Sequence, residues 1–355
     1  MTTPWGYPDF DAHEALHFVT DEASGLRAII AMHSTHLGPA AGGSRFWHYA
    51  DDADALTDAL RLSRGMSYKN AMAGLPLGGG KAVVLAGPDR AKSPALLAAF
   101  GRAVDSLGGK YVTAEDVGMS VSDMIEVARQ TKHVAGLPVD SGVGGDPGPH
   151  TSLGVFLGIK AAVRRALGKD SLAGLHIALQ GAGSVAGGVA RHAAAEGARL
   201  SIADVDSGRA QALSALCNAT VVDPAEIMSL EADVFSPNAL GAILDESSIA
   251  ALNAPIVAGG ANNQLKTEAD GKRLMDRGIL YAPDYVINAG GIINVSTEYL
   301  RDGDTELVRE RIKAIPGRLD IIWAESAASG RDPAAVADAM AQKLIGRGSS
   351  DQPPR

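Results

Sequence analysis

Along the first third of the chain the apolar positions change period several times, and each change marks an element. GLRAIIAMH, from Gly25 to His33, is an almost unbroken apolar run with the length of a buried strand. The turn-rich HLGPAAGGSRFWHY follows it. From Asp54 to Met66, apolar side chains recur at 55, 56, 59, 60, 62 and 66, the spacing of one helical face. AVVLA, after Lys81, predicts a second buried strand. Ser93 and Pro94 supply an N-cap and a first-turn proline for the helix LLAAFGRAVDSLG. KYVTA is a short strand that delivers Glu115 and Asp116 to its C-terminal end. VSDMIEVARQ is helical, and Ser120 and Ser122 are nearer caps for it than Asp116.

The pattern shifts at PVDSGVGGDPGPH, Pro138 to His150, whose mixed glycines and prolines predict a linker or hinge. Thr151 starts a long helix that ends at Gly168. Strand and helix then alternate. LHIALQ is a strand, Gly181, Gly183 and Ala186 form G-x-G-x-x-A, VAGGVARHAAAEG is a small-residue helix, and RLSIAD is a strand ending at Asp204. ADVFSP, PIVAGG and ILYAPDYVINAGG are strand-like, with helical segments around Glu246 to Asn253 and Lys266 to Gly278 between them. A parallel doubly wound sheet is the natural product. Tyr299 to Ser329 predicts one long helix kinked by Pro316. Asp332 and Pro333 open a last helix that runs through Leu344, both helical stretches pack back on the first domain, and GSSDQPPR predicts a disordered tail.

Composition narrows the class. A length of 355 residues with 46% hydrophobic side chains predicts two domains with substantial cores. A net charge of −9 without basic clusters argues against nucleic acid or an anionic membrane as partner. The N-terminus has neither a basic nor an apolar leader segment, and no run is apolar for about 18 residues, so a cytoplasmic protein is expected. The single cysteine, Cys217, excludes intrachain disulfides and a cysteine zinc cage. No metal-ligand cluster is visible.

Chemistry concentrates in GMSYKNAMAGLPLGGGKAVV, Gly65 to Val84, where Lys69 and Lys81 lie among apolar and small neighbours. Burial and a second nearby cation both lower a lysine's pKa toward a useful base. Gly78, Gly79 and Gly80 mark a close backbone approach, to a ligand or within a glycine-rich turn entering a strand. Gly42 and Gly43 either offer N–H groups to a carboxylate or are structural. Asp116, at a strand end, completes a proton-transfer set with the lysines; helix capping is its alternative role. In the second half, the first glycine of G-x-G-x-x-A makes the tight turn and the second admits a pyrophosphate to a helix N-terminus. Asp204 then binds ribose hydroxyls and repels a 2′-phosphate, favouring NAD over NADP, with Arg209 nearby as a counter-signal. Asn262 and Asn263 follow a strand, where an amide binds a ribose or carboxamide or simply makes a turn.

LGPAAGG (37–43), GMSYKNA (65–71), GGGK (78–81), TAEDVG (113–118), GAGSVA (181–186), GGANNQLK (259–266) and YAPDYVINAGG (281–291) together resemble the Glu/Leu/Phe/Val amino-acid dehydrogenase family, closest to its leucine type. The resemblance implies an α/β fold of two domains with a cleft between them. These are an N-terminal substrate and oligomerisation domain (1–140 with 325–355) and a Rossmann-type doubly wound NAD-binding domain (141–324). It implies NAD-dependent, reversible oxidative deamination of an L-amino acid to a 2-oxo acid and ammonia, in a homo-oligomer between dimer and octamer. Lys69 would hold the substrate carboxylate, aided by Gly42 and Gly43. Lys81 would act on the water that attacks the iminium carbon, and Asp116 would exchange protons with the amine. Gly181, Ala182, Gly183, Ser184, Val185, Ala186 and Asp204 would bind the dinucleotide, with Thr151 and Asn262 at its nicotinamide end.

Ala41, Ala114, Ile292 and Val295 match the side-chain pocket. All are apolar, which excludes a glutamate substrate and favours leucine, valine and isoleucine, with phenylalanine as competitor. Leucine-type relatives often carry Leu in place of Ala41 and Val in place of Ile292, and Pro316 also departs from their pattern. Two other classes compete, a 2-hydroxy-acid dehydrogenase and a non-catalytic NAD-binding regulator. The first wants a His-carboxylate pair and an arginine, and His133, His150 and His176 lack that setting. The second would tolerate loss of the lysine and aspartate set, which is complete here.

Overall fold

The first strand is one the apolar runs did not announce. β1 (Ala15–Asp21) pairs antiparallel along its length with β2 (Leu26–Ser34), the strand expected from GLRAIIAMH. The computed structural model describes residues 3–137 and 143–347. Pro138 to Gly142 of the expected hinge, and the tail from Gly348, lie outside them. The turn-rich segment after β2 contains two more strands, β3 (Ala40–Ala41) and β4 (Ser44–Trp47), both parallel to β5 (Gly78–Leu85). Helix α1 (Asp52–Met72) lies between β4 and β5 in sequence. α2 (Pro94–Ser106) precedes β6 (Tyr111–Val112), and α3 (Val121–Ala128) follows it. The sheet order is β1-β2-β5-β3-β6, with β4 also on β5.

Alternation along β5 divides its side chains between two cores. Ala82 and Val84 join Ile30, Phe100, Val104, Tyr111 and Met124 in one buried cluster, whereas Val83 joins Ile29, Ala31, Ala59 and Leu60 in the other, beneath α1. By the two-residue period of a strand, Gly79 and Lys81 share the α1 face with Val83.

The second sheet is wholly parallel. Its strands are β7 (His176–Gln180), β8 (Arg199–Ala203), β9 (Thr220–Val221), β10 (Val234–Pro237), β11 (Ile256–Val257) and β12 (Leu280–Tyr281), in the order β12-β11-β10-β7-β8-β9. This is the doubly wound order, with the direction of winding reversing between β7 and β10. Its helices are α4 (Gly148–Leu167), α5 (Ser184–Ala195), α6 (Ser207–Cys217), α7 (Glu246–Ala251), α8 (Ala269–Asp276) and α9 (Asp284–Ile287). They are followed by α10 (Gly290–Leu300), α11 (Thr305–Lys313), α12 (Ile315–Ser329) and α13 (Pro333–Leu344).

Two expectations change here. ILYAPDYVINAGG is strand only at Leu280 and Tyr281. Pro283 and Asp284 open a helical turn instead, and the Asp284 carboxylate accepts the Gln264 N–H at 2.8 Å. Pro316 does not kink one long helix. It sits in the first turn of a separate helix, α12, where its missing N–H costs nothing because first-turn donors have no intrahelical partner. α4 also begins at Gly148, ahead of Thr151.

The chain forms two compact units. One holds the described residues of Met1–Gly145, Asn294–Thr305 and Met340–Arg355; the other holds Asp146–Ile293 and Glu306–Ala339. The sequence reading returned the chain to the first domain at 325. In the structure α12 packs on α4 and α9, which keeps that stretch with the second sheet. Within the first unit, Asn294 clamps Gly144 by accepting its N–H at 3.1 Å and donating to its carbonyl at 2.9 Å.

A buried polar group ties the chain's end to this unit. Arg347 donates to the carbonyls of Asp11, Ala12 and His33, and its Nη1 lies 2.7 Å from His33 Nε2, which is also 3.1 Å from Asp11 Oδ2. His33 Nδ1 lies 2.8 Å from Ser67 Oγ. Beside it, His13 Nδ1 accepts the Asp11 N–H, which puts the ring proton on Nε2, 3.0 Å from the Leu60 carbonyl. Burial first, and the neighbouring His33 second, push His13 down to about 4. Its folded pKa is therefore below the unfolded value of about 6.5, so its contribution is complete above pH 6.5 and is lost as pH falls toward 4. Urea-unfolding midpoints should show stability falling between pH 6.5 and 5, with a total of about 3 kcal/mol at stake from this ring. His13→Gln should flatten that dependence; an unchanged slope would remove His13 as its source.

Candidate active site

Lys81 is brought to its place by packing that only small residues allow. A Cβ on Gly78 would lie 2.0 Å from the Ser34 carbonyl, one on Gly79 2.0 Å from the Ser67 backbone nitrogen, and one on Gly80 2.8 Å from the Tyr111 ring. The close approach foreseen at GGG is thus to protein, namely β2, α1 and β6, not to a ligand. Gly42 and Gly43 obey the same constraint. A Cβ on Gly42 would meet the Gly80 carbonyl at 1.8 Å, and one on Gly43 the Glu115 carbonyl at 2.5 Å and Asp116 Cβ at 2.9 Å. The Gly42 N–H donates to the Val112 carbonyl at 3.1 Å, so it is already engaged within the sheet.

With α1 pressed onto β5, Lys69 falls in the last turn of the helix, where its charge suits the negative end of the helix dipole. It is half-buried. Its neighbour Asn70 is fully buried and donates to the Gly78 carbonyl at 2.6 Å and, more weakly, to that of Ala41 at 3.4 Å. That side chain locks the lysine-bearing turn to β5 and β3, and the sequence reading did not single it out.

Lys81 is 5% exposed, and its Nζ lies 2.7 Å from Asp116 Oδ2. Asp116 does not cap α3. Ser120 does, in a capping box with Asp123. Burial pushes the Lys81 ammonium down, and it stays below the ordinary lysine value although the Asp116 carboxylate opposes the shift. Burial pushes the Asp116 carboxyl up, but the charges of Lys81 and Arg45 outweigh it and hold the group below the usual carboxylate value. Arg45, on β4, was not anticipated. Its Nε donates to the same Asp116 Oδ2 at 3.0 Å.

Of the expected pocket residues, Ala41 on β3 is buried, while Ala114 and, on α10, Ile292 and Val295 are half-buried. Ala41, Ala114 and Val295 belong to the first unit and Ile292 to the second.

In the second unit, the turn between β7 and α5 fits a dinucleotide phosphate. Gly181 has φ +99°, a conformation that strains any side chain, and its N–H donates to the Ala203 carbonyl at 2.7 Å. At Gly183, the N-cap of α5, an added Cβ meets nothing within 4 Å, so open space lies before the helix N-terminus carried by Ser184, Val185 and Ala186. Asp204 follows β8 and is held by two backbone donors, Ala182 N–H at 2.7 Å and Asp206 N–H at 2.8 Å. Arg209 pairs with Asp206 at 3.3 Å. Thr151 Oγ1 donates to the Pro147 carbonyl at 2.9 Å. Asn262 is exposed, and its Oδ1 accepts from Asn288 Nδ2 at 2.8 Å, which leaves its own amide N–H groups to donate elsewhere. Asn288, 2% exposed, is a second brace missed in sequence. Asn263 adopts φ +52° in the turn. Among the described residues no cluster of His, Cys, Asp and Glu has metal-site geometry, and no helix is long and apolar enough to cross a membrane.

The glycine packing has a direct consequence. Gly79→Ala should lower stability by about 1–3 kcal/mol through overpacking against Ser67. Gly65→Ala, helical with nothing within 4 Å of an added Cβ, should be neutral or stabilising by up to about 1 kcal/mol. Urea midpoints of the two variants decide it, and equal effects would mean that α1 yields freely at Ser67.

The family model described as Glu/Leu/Phe/Val dehydrogenase, dimerisation domain, matches residues 13–133, and that of Glutamate/Leucine/Phenylalanine/Valine dehydrogenase matches residues 202–342. The chain is similar to leucine dehydrogenase of Bacillus subtilis, with 45% identity over 94% of this chain and 92% of the relative. To valine dehydrogenase of Streptomyces albus the identity is 44% over 96% and 94%. The crystal structure of L-tryptophan dehydrogenase from Nostoc punctiforme superposes with a TM-score of 0.83 at 42% identity, covering 95% of this chain and 96% of that one. The chain therefore belongs to the glutamate, leucine, phenylalanine and valine dehydrogenase family.

Proposed function

We propose that this protein catalyses the NAD-dependent, reversible oxidative deamination of apolar L-amino acids, with leucine, valine and isoleucine preferred, to 2-oxo acids and ammonia. The observation that carries the reading is the buried Lys81 beside Asp116, each titrating below its ordinary value. NAD, when bound, accepts the hydride from the substrate Cα. The chain's own residues do the rest. Lys69 holds the substrate carboxylate, with Gly43 alongside; Gly42, whose N–H is engaged by Val112, contributes by letting β5 approach. Asp116 is ionised and takes the proton released by the substrate amine. Lys81, when neutral, takes a proton from the water that attacks the iminium carbon, and a charged Lys69 helps keep it neutral.

An acid at the end of β8 repels a 2′-phosphate, which favours NAD over NADP; Asp204 is held by the Ala182 and Asp206 N–H groups, while Arg209 pairs with Asp206. The Asn262 amide, oriented by Asn288, serves the nicotinamide end together with Thr151. Ala41, Ala114, Ile292 and Val295 are all apolar, which suits an apolar substrate side chain. One methylene is worth roughly 1–3 kcal/mol there, so neighbouring amino acids are discriminated by degree. Leucine and valine dehydrogenases among the relatives support the branched-chain preference. L-tryptophan dehydrogenase, at 48% identity over 289 residues, makes an aromatic preference the second reading, with the small Ala41 as its point of support. A homo-oligomer is expected, since residues 13–133 match a dimerisation-domain model.

The test is NADH formation, followed by absorbance, with NAD, NADP and a panel of L-amino acids at alkaline pH. Leucine, valine or isoleucine should be turned over with NAD, and Lys81→Ala should lose at least about a hundredfold in kcat, the scale of general-base catalysis. Asp204→Ser should narrow the NAD over NADP preference. Preference for tryptophan or phenylalanine would move the pocket assignment alone, and no turnover of any amino acid would sink the enzymatic reading.

A further inference from the structure

Asp116 is held by more than Lys81. Its Oδ2 accepts from Lys81 Nζ at 2.7 Å and from Arg45 Nε at 3.0 Å. The other branch of the same guanidinium, Nη1, donates to Asp58 Oδ2 at 2.8 Å, and that oxygen also accepts from Tyr49 Oη at 2.6 Å. The chain of contacts runs from β5 through the loop after β6 to β4, then to α1 and the segment after β4. Lys81 is buried, while the Asp116, Arg45 and Asp58 side chains are between 23% and 32% exposed.

We propose that Arg45, braced by Asp58 and Tyr49, is a positioning residue and the permanent counterion of Asp116, which lets Lys81 give up its proton without leaving a half-buried carboxylate unpaired. The inference rests on the proposed deamination chemistry and adds to it a residue set that the lysine and aspartate pair alone does not need. In a two-membered site, Asp116 would be the sole partner of Lys81. Its negative charge would hold the lysine's proton, and removing that proton would leave a half-buried carboxylate without a counterion. A guanidinium does not deprotonate in the working range, so Asp116 keeps a cationic partner in either state of Lys81. The fork of Arg45 also fixes where the carboxylate points, because Nε and Nη1 engage carboxylates on two different elements.

The charged and titratable groups on the elements around Asp116 are Lys81 on β5, Arg45 on β4, Asp58 and Lys69 on α1, Tyr111 on β6 and the adjacent Glu115. Among those acting on Lys81, the Arg45 charge lowers its pKa and the Asp58 charge raises it. The two neighbours therefore act on Lys81 with opposite signs.

The experiment is the pH profile of kcat/KM for leucine deamination by the full-length protein and its Arg45→Met, Arg45→Lys and Asp58→Asn variants. In Arg45→Met the acidic limb should move about one unit to higher pH, a loss of about tenfold on the limb that shrinks at alkaline pH. Arg45→Lys retains the charge and should keep the limb near its wild-type position while lowering kcat/KM at all pH values. Asp58→Asn, which should fold because its side chain is a third exposed, should move the limb to lower pH. A limb unmoved in Arg45→Met with an equal loss at every pH, or a limb moved to higher pH by Asp58→Asn, overturns the proposal. Wild-type protein that turns over no amino acid would instead overturn the function on which it rests.

Discussion

A lysine ammonium and an aspartate carboxylate 2.7 Å apart, the first almost wholly buried, set the terms for the first unit. Taking such a pair out of water costs several kcal/mol per ion, and mutual attraction in the interior offsets this only with good geometry. Buried pairs are therefore poor devices for stability, whereas perturbed groups held together in this way are what proton chemistry uses. The surrounding structure has the features needed to keep the pair in place. Lys81 sits on a central strand whose neighbours on both sides are hydrogen-bonded, and Asp116 follows the edge strand β6. β3 and β4 join the two parts by pairing with β5 in parallel, and β3 also pairs with β6.

That geometry explains the glycines better than ligand access does. The β5 backbone carries three consecutive residues that β2, α1 and β6 approach to distances no Cβ permits. The result is that Ser67 and Asn70, flanking Lys69, contact β5 directly, through van der Waals packing at Gly79 and a hydrogen bond to Gly78. The two lysines are thereby fixed relative to one another by main-chain packing, the stiffest element available. Ser67 is in turn held by His33, and His33 by Arg347 near the chain's end. The terminal segment is thus part of the support behind the site.

How much of this was legible follows from how local each signal is. The second sheet could be read because a strand, a glycine turn, a helix, a strand and a terminal acid occur in sequence within about thirty residues, and each has a backbone reason. Lys69, Lys81 and Asp116 stood out because lysines in apolar company and an acid at a strand end are both unusual. Strands of two to four residues, such as β3 and β4, had no such signal, since pairing with β5 across some forty residues sustains them. β1 alternates too weakly, and it is an edge strand with Phe18 exposed. Pro316 misled because a proline is read as a kink unless the turn before it is known.

The residues missed at the site share one property, that they act on other groups of the protein. Arg45 in SRFW and Asp58 in α1 look like solvated charges in sequence, and Asn288 and Asn70 look like turn or helix polars. Their meaning comes from partners such as Asp116, Asn262 and Gly78, which lie 71, 26 and 8 residues away for Arg45, Asn288 and Asn70. A pattern search finds groups whose own surroundings are odd, whereas a brace has ordinary surroundings and an extraordinary partner. For this fold the distinction has a physical basis in the lysine. Lys81 must be desolvated, which writes apolar neighbours into the adjacent sequence, but the groups that orient its partner can remain partly exposed, as Arg45 and Asp58 do.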